Sequence, residues 1–291
     1  MTSSFKISLE KLEEIKEYYK DYQIENNNDL VLYQFKYNNC NIMVYKSLSV
    51  VINGKDTLEE VKKWKENSYK IIEHIGSDEV GCGDFFGPVV VSIAYVKEED
   101  FELLESLGVN DSKKISDKTI LQIAPIIIEK IKTVTFTLTI KKYNELVAKG
   151  YNLNKIKAYL HNFVLEKIVS KNHFEGLIVV DQFCEERLYY QYLLDYKTKN
   201  IQKDIFFTTK AESQYLAVAC ASIVARYTFL KEIEKLSQEL GYLIPLGAGK
   251  EVNEFAIKIA KEKGLDSLKK YSKHHFKNTN IVLEELNDKI L

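Results

Sequence analysis

Four acidic residues stand where the sequence could do chemistry: the adjacent pair Asp78 and Glu79, then Asp181 and Glu212. Each lies at the end of a predicted strand or just ahead of a predicted helix. Carboxylates are hard oxygen ligands. Four of them gathered on one side of a sheet suit two Mg2+-class cations, with substrate oxygens completing the shell. Two such ions about 3.5–4 Å apart activate water and stabilise the leaving oxygen of a phosphodiester. No histidine or cysteine cluster competes for a zinc site, and no Walker or G-x-S-x-G sequence offers another chemistry. Taken singly, each acid has a blander account as a surface carboxylate or helix cap.

The elements that must position these acids begin with Ile75–Tyr95, IGSDEVGCGDFFGPVVVSIAY. An apolar lead-in, a glycine-punctuated turn and a second apolar run, Val89–Val96, predict strand, tight turn, strand. Neighbouring side chains on a strand point to opposite faces. Two adjacent acids there are costly unless the strand ends at an open site or a cation offsets their charge. The turn from Gly81 to Gly87 reads GxGxxxG, one residue too long for a dinucleotide-binding turn, and a strand rather than a helix follows it. Asp78, Glu79 and Asp84 would also repel phosphate unless divalent ions sit between. A solvated hairpin with incidental acids is the competing reading of this stretch alone.

Further along, Leu177–Val180 is a continuous apolar run ending in Asp181, which predicts a buried strand with the acid at its carboxyl end, where open α/β sheets place their sites. Glu212 precedes a helix over about 214–239. That helix opens with Ala217, Ala219, Ala221, Ser222 and Ala225, small enough to allow close approach to a sheet. Between these lie a short helix at Phe101–Leu107, a helix capped by Ser116, a strand over Thr133–Ile140, a long helix over Asn154–Lys171, a helix over Leu188–Tyr196 and a strand over Ile205–Thr209. A basic tail, Lys261–Lys277, is either a solvated face or a strip that contacts phosphates.

Residues 1–66 form a separate α+β unit in this reading. Ser8 caps a helix carrying Leu9, Leu12, Ile15 and Tyr19 on one face. Val31–Tyr37 and Asn41–Tyr45 form a hairpin, Leu48–Ile52 adds a strand, and Thr57 with Glu60 makes a capping box. The break falls near Ser68 and Tyr69.

At 291 residues and a formal charge of -1, the chain can build a full core and carries no overall basic coat. No run of about 18 apolar residues predicts a membrane span. The amphipathic N-terminus is not a signal peptide, and Cys40, Cys82, Cys184 and Cys220 show no disulfide-dense or metal-ligand spacing, so a cytoplasmic location is expected.

The stretches GSDEVGCGDFFGP, NDSKKIS, VVDQF, KAESQYLAVACASIVAR and KHHFKNT together resemble the bacterial type 2 ribonucleases H, and within them the ribonuclease HIII family. That resemblance implies an α/β fold: a ribonuclease H-like mixed sheet with flanking helices over 70–291, preceded by a TBP-like substrate-binding domain over 1–66. It implies a monomer that cuts the RNA strand of RNA–DNA hybrids with two Mg2+ ions, or Mn2+ in their place. Asp78, Glu79, Asp181 and Glu212 take the catalytic and metal-binding positions, Glu212 being glutamate as in the HIII branch. Gly81, Cys82, Gly83, Ser112 and Lys113 fall at substrate-binding positions. Ribonuclease HII has Gly-Arg-Gly where this chain has Gly81-Cys82-Gly83, and that arginine turn accompanies cleavage at single ribonucleotides. The absence of that arginine argues against junction cleavage as the main task, and HII-like cleavage at single ribonucleotides stays as the alternative activity. A non-catalytic nucleic-acid-binding protein and a DNA nuclease of the same fold are the other readings.

Overall fold

A computed structural model describes residues 2–7, 9–26, 28–64, 73–109, 115–170, 174, 176–196 and 200–287. The chain divides into two units, Met1–Ser68 and Tyr69–Leu291.

The first unit runs β1 (Thr2–Lys6), α1 (Leu9–Tyr18), β2 (Val31–Tyr37), β3 (Cys40–Tyr45), β4 (Ser49–Gly54) and α2 (Thr57–Trp64). Its antiparallel sheet has the order β1-β4-β3-β2. Strand β1 was not expected, because TSSFK carries only one large apolar residue; pairing with β4, from Thr2↔Asn53 to Lys6↔Ser49, supplies the order that composition lacks. Alternation along β3 and β4 buries Ile42, Val44, Val50 and Ile52 against Ile15 and Tyr19. The Ser8 cap lies outside the described residues. Glu60, expected to reach back toward the cap of α2, instead turns inward. It accepts from the Tyr19 hydroxyl and from Lys63 Nζ at 2.9 Å, while Trp64 Nε1 donates to the Tyr19 oxygen at 2.6 Å. A buried carboxylate needs partners, and these three groups join α1 to α2.

In the second unit come β5 (His74–Val80), β6 (Val89–Val96), α3 (Phe101–Ser106), α4 (Asp117–Lys130), β7 (Lys132–Leu138), α5 (Ile140–Ala148), α6 (Leu153–Val169), β8 (Leu177–Asp181), α7 (Glu186–Tyr192), β9 (Ile205–Thr208), α8 (Leu216–Leu240), α9 (Lys250–Lys263), α10 (Leu265–Tyr271) and α11 (Lys277–Asn287). The five-stranded sheet has the order β7-β6-β5-β8-β9. Strands β5, β6 and β7 pair antiparallel, and β8 and β9 run parallel to β5. Helix α5, following β7, was not expected; Thr139 caps it by accepting from Lys142 N. Ser116 caps α4 as its position predicts, accepting from Thr119 N at 3.2 Å.

Both faces of the sheet are covered, which is why β6 reads VVVSIAYV without alternation. On one face Ala94 and Val96 pack with α4 and α8; on the other Val91, Ile93 and Val180 pack with α6. The small-residue band of α8 lets it lie directly on β5. A Cβ at Gly76 would stand 2.2 Å from Val218 N and 2.4 Å from Ala217 C, so glycine is required for that approach. Among the described residues no helix is long and apolar enough to cross a membrane.

Candidate active site

Strand β5 delivers the paired acids, and its alternation sends them apart. His74, Gly76 and Asp78 share the α8 face, where the Ala217 amide meets His74 Nε2 at 3.0 Å. Ser77 and Glu79 share the α6 face, where both meet His161. Strand β8 lies beside β5 with Ser77↔Val180 as the last pair, so Asp181 ends its strand level with Asp78. Asp181 Oδ1 accepts from the Ala211 amide at 2.8 Å. That amide is presented by a 3-10 turn, Ala211–Ser213, entered through Lys210 at φ 57, a left-handed conformation costly outside glycine. Glu212 sits in this turn rather than on the first turn of α8. The acids therefore come from β5, β8 and the β9–α8 connection, all at the carboxyl edge of β5 and β8, and all partly buried.

Their electrostatics show the crowding. Desolvation first, then the charge of Glu79, push the Asp78 carboxyl up to about 8, against relief from Ser222 and the Glu79 amide. Asp181 is also raised, by burial first and then by Glu212 and Glu79, with the Ala211 amide opposing. Glu79 goes the other way. Burial disfavours its charge, but the His161 hydrogen bond and the charges of His161 and Lys157 more than offset that. Lys157 Nζ pairs with Glu79 Oε1, and His161 Nε2–H donates to Oε2 at 2.8 Å. Among the described residues no three metal-ligating side chains close into a ready-made shell. Alternation places Glu79 on the opposite face from Asp78, and α6 holds it there. The donor set nonetheless fits hard divalent cations: carboxylate oxygens only, desolvated and mutually repelling, in need of positive charge.

The glycine turn divides by role. Gly81 (φ 93) and Gly87 (φ 84) take left-handed conformations, and a Cβ on Gly81 would meet Pro88 O at 2.2 Å. Gly83 is exposed and would have nothing within 4 Å. Cys82 is partly buried; burial and then the Glu79 charge push its thiol up to about 12. Asp84 Oδ1 accepts from Gly247 N at 2.6 Å. Ser112 and Lys113 lie outside the described residues. Lysine 273, from the basic tail, is neither solvated nor on the surface. It is fully buried and donates to Asp84 O at 2.7 Å and Gly87 O at 2.6 Å, closing the turn from within. Neither Lys157 nor His161 was singled out from the sequence. Their signal was present in α6 as polar residues four apart among buried Ile156, Leu160, Val164 and Leu165.

A mixed five-stranded sheet sandwiched by helices, with acids at the carboxyl ends of its adjacent parallel strands, is the ribonuclease H-like architecture. A family model described as Ribonuclease HII matches residues 75–279, and one described as Domain of unknown function (DUF3378) matches residues 3–71. A Ribonuclease HIII of Phytoplasma mali is 40% identical over 94% of this chain and 96% of its own length. The Ribonuclease HIII of Lactococcus lactis subsp. lactis is 36% identical over 96% and 97%. Among solved structures, Bst-RNase HIII in complex with Mn2+ is similar with a TM-score of 0.74 and 33% identity, covering 98% of this chain and 99% of that one. Aquifex aeolicus RNase H3 is similar at a TM-score of 0.56 and 29% identity, covering 96% and 100%. The chain belongs to the ribonuclease HIII family and is an enzyme of the ribonuclease H type.

Proposed function

We propose that this chain is a monomeric, cytoplasmic endoribonuclease that hydrolyses the RNA strand of RNA–DNA hybrids, leaving 5′-phosphate and 3′-hydroxyl ends. Asp78, Glu79, Asp181 and Glu212 are its catalytic acids, and Mg2+ or Mn2+ its cofactor. The observation that carries this reading is the crowding of desolvated acids at one sheet edge, beside a glycine turn that exposes Gly83. When bound, the divalent ions supply charge neutralisation at the scissile phosphate and polarisation of the attacking water. The chain's own part is positional. Asp78 and Asp181 present oxygens from rigid strand ends, and the Ala211 amide orients Asp181. The open backbone at Gly83 admits a sugar–phosphate chain, where neighbouring 2′-hydroxyls distinguish RNA from DNA.

Turn composition bears on substrate choice. Gly81-Cys82-Gly83 has no guanidinium to fork onto a phosphate, and a thiol is a weak donor. Recognition then accumulates over several ribonucleotides. A continuous RNA–DNA hybrid should be cut well, and a DNA duplex holding one ribonucleotide poorly, at equal Mg2+ and salt. RNA duplex and DNA duplex serve as further controls. Comparable kcat/KM on the first two substrates would favour the junction-cleaving alternative, and cleavage of plain DNA would remove the ribonuclease reading.

The N-terminal unit, with no catalytic cluster among its described residues, we assign to substrate binding. Removing residues 1–66 should mainly raise KM on the hybrid. Loss of kcat at unchanged KM would mean that the unit supports the catalytic geometry instead.

A further inference from the structure

Lys157 and His161 are one helical turn apart on α6, and both are spent on one carboxylate. The Lys157 ammonium pairs with Glu79 Oε1 where the two side chains are only 11% and 13% exposed. His161 Nε2–H takes Oε2 at 2.8 Å, and its Nδ1 lies 2.8 Å from Ser77 Oγ, which fixes the ring. Phe183, two residues beyond Asp181, roofs the pair. Lys157 Nζ stands 4.2 Å from its ring centroid, and the His161 ring stacks on it at 5.2 Å and 19°. Both oxygens of Glu79 are thus engaged, under an aromatic cover, on the opposite sheet face from Asp78. A lysine buried this far is costly unless its charge is used, and among the described residues its charge acts on Glu79 and Asp181 of the acid cluster.

Building on the reading of the four acids as a divalent-ion site, we propose that Lys157 is the cluster's built-in counter-cation. It holds Glu79 out of the ligand shell and sets how weakly the site takes a metal before nucleic acid arrives. A divalent ion entering beside the ammonium meets like-charge repulsion, and it gains Glu79 as a ligand only by competing with Lys157. Lys157 is thus a positioning residue for Glu79, with metal affinity as the quantity it controls.

The test is direct binding of Mn2+, without nucleic acid, to the wild-type full chain and to K157M and K157R, followed by calorimetry and by Mn2+ spin resonance. Methionine keeps the length and the contact with Phe183 but removes the charge. K157M is expected to bind Mn2+ at least about tenfold more tightly, the scale of one unit charge acting on a divalent ion over a few ångström. K157R should retain wild-type affinity. Should K157M not fold, K157Q, which leaves a polar tip for Glu79, is measured in its place. Equal or weaker Mn2+ binding on removing the charge would overturn the proposal, because Lys157 would then not oppose the metal. Absence of Mn2+ binding in every folded variant would instead remove the reading of the acids as a metal site.

Discussion

Asp181→Asn is expected to leave the protein folded and to reduce hybrid cleavage by more than the about 10–100-fold that disturbing a metal ligand's outer partners costs. The two halves of this expectation have separate causes. Asparagine keeps an oxygen where Asp181 Oδ1 accepts from the Ala211 amide at 2.8 Å, so the 3-10 turn carrying Glu212 stays anchored. What disappears is a charge that the fold holds at some expense. Burial raises the Asp181 carboxyl, and the charges of Glu212 and Glu79 add to it. The metal-free variant should therefore melt at or slightly above the wild-type temperature while losing most activity in Mg2+. Circular dichroism with a thermal scan, alongside single-turnover cleavage, reads both. A folded Asp181→Asn protein that kept most of its activity would sink the assignment. Asp181→Ala is the contrasting control, since it also strands the Ala211 amide and should cost stability as well.

Lys273→Met should be strongly destabilising. Its ammonium is completely enclosed and donates to the carbonyls of Asp84 and Gly87, two groups of the glycine turn with hydrogen-bonding capacity to satisfy. Leaving the buried Gly87 carbonyl and the partly buried Asp84 carbonyl short of a donor costs roughly 2–5 kcal/mol, or a fall in Tm of about 5–15 °C for a chain of this size. Activity should fall with stability, because the same turn carries Gly83. The pH dependence has a definite sign. Desolvation lowers Lys273 to about 8 from 10.5, with Asp84 opposing. Above about pH 8 the unfolded chain therefore still holds a proton that the folded chain releases. Stability contributed by this site rises with pH up to about 10.5, and the neutral amine still has an N–H for each carbonyl. Denaturant titrations of wild type and variant at pH 7.5 and 9.5 should show the gap persisting or widening; a gap that closes at the higher pH would mean the bonds need the full charge.

Much of the framework was legible from residue order. The runs Val89–Val96 and Leu177–Val180 read as buried strands, and they form them; Asp181 closes its strand, while Asp78 and Glu79 lie in the last three residues of β5. The small residues of α8 announced its approach to a sheet, and Ser116 announced the start of α4. These features are local: periodicity, capping and chain continuity determine them within a few residues. The tertiary structure decided the rest, where side chains distant in sequence meet. Alternation alone could say that Asp78 and Glu79 diverge, but not that α6 waits on one side with Lys157 and His161, some eighty positions later. By residue type Lys273 belongs to a solvated tail; it is buried because the C-terminal segment crosses the glycine turn, its own amide bonding Phe85 O at 2.9 Å. Glu60 fits a capping box by spacing, yet it turns inward because Tyr19 supplies a buried donor. In each case a charged group left the water that its type predicts. A long-range partner offset the desolvation, and such partners exist only once the chain has folded.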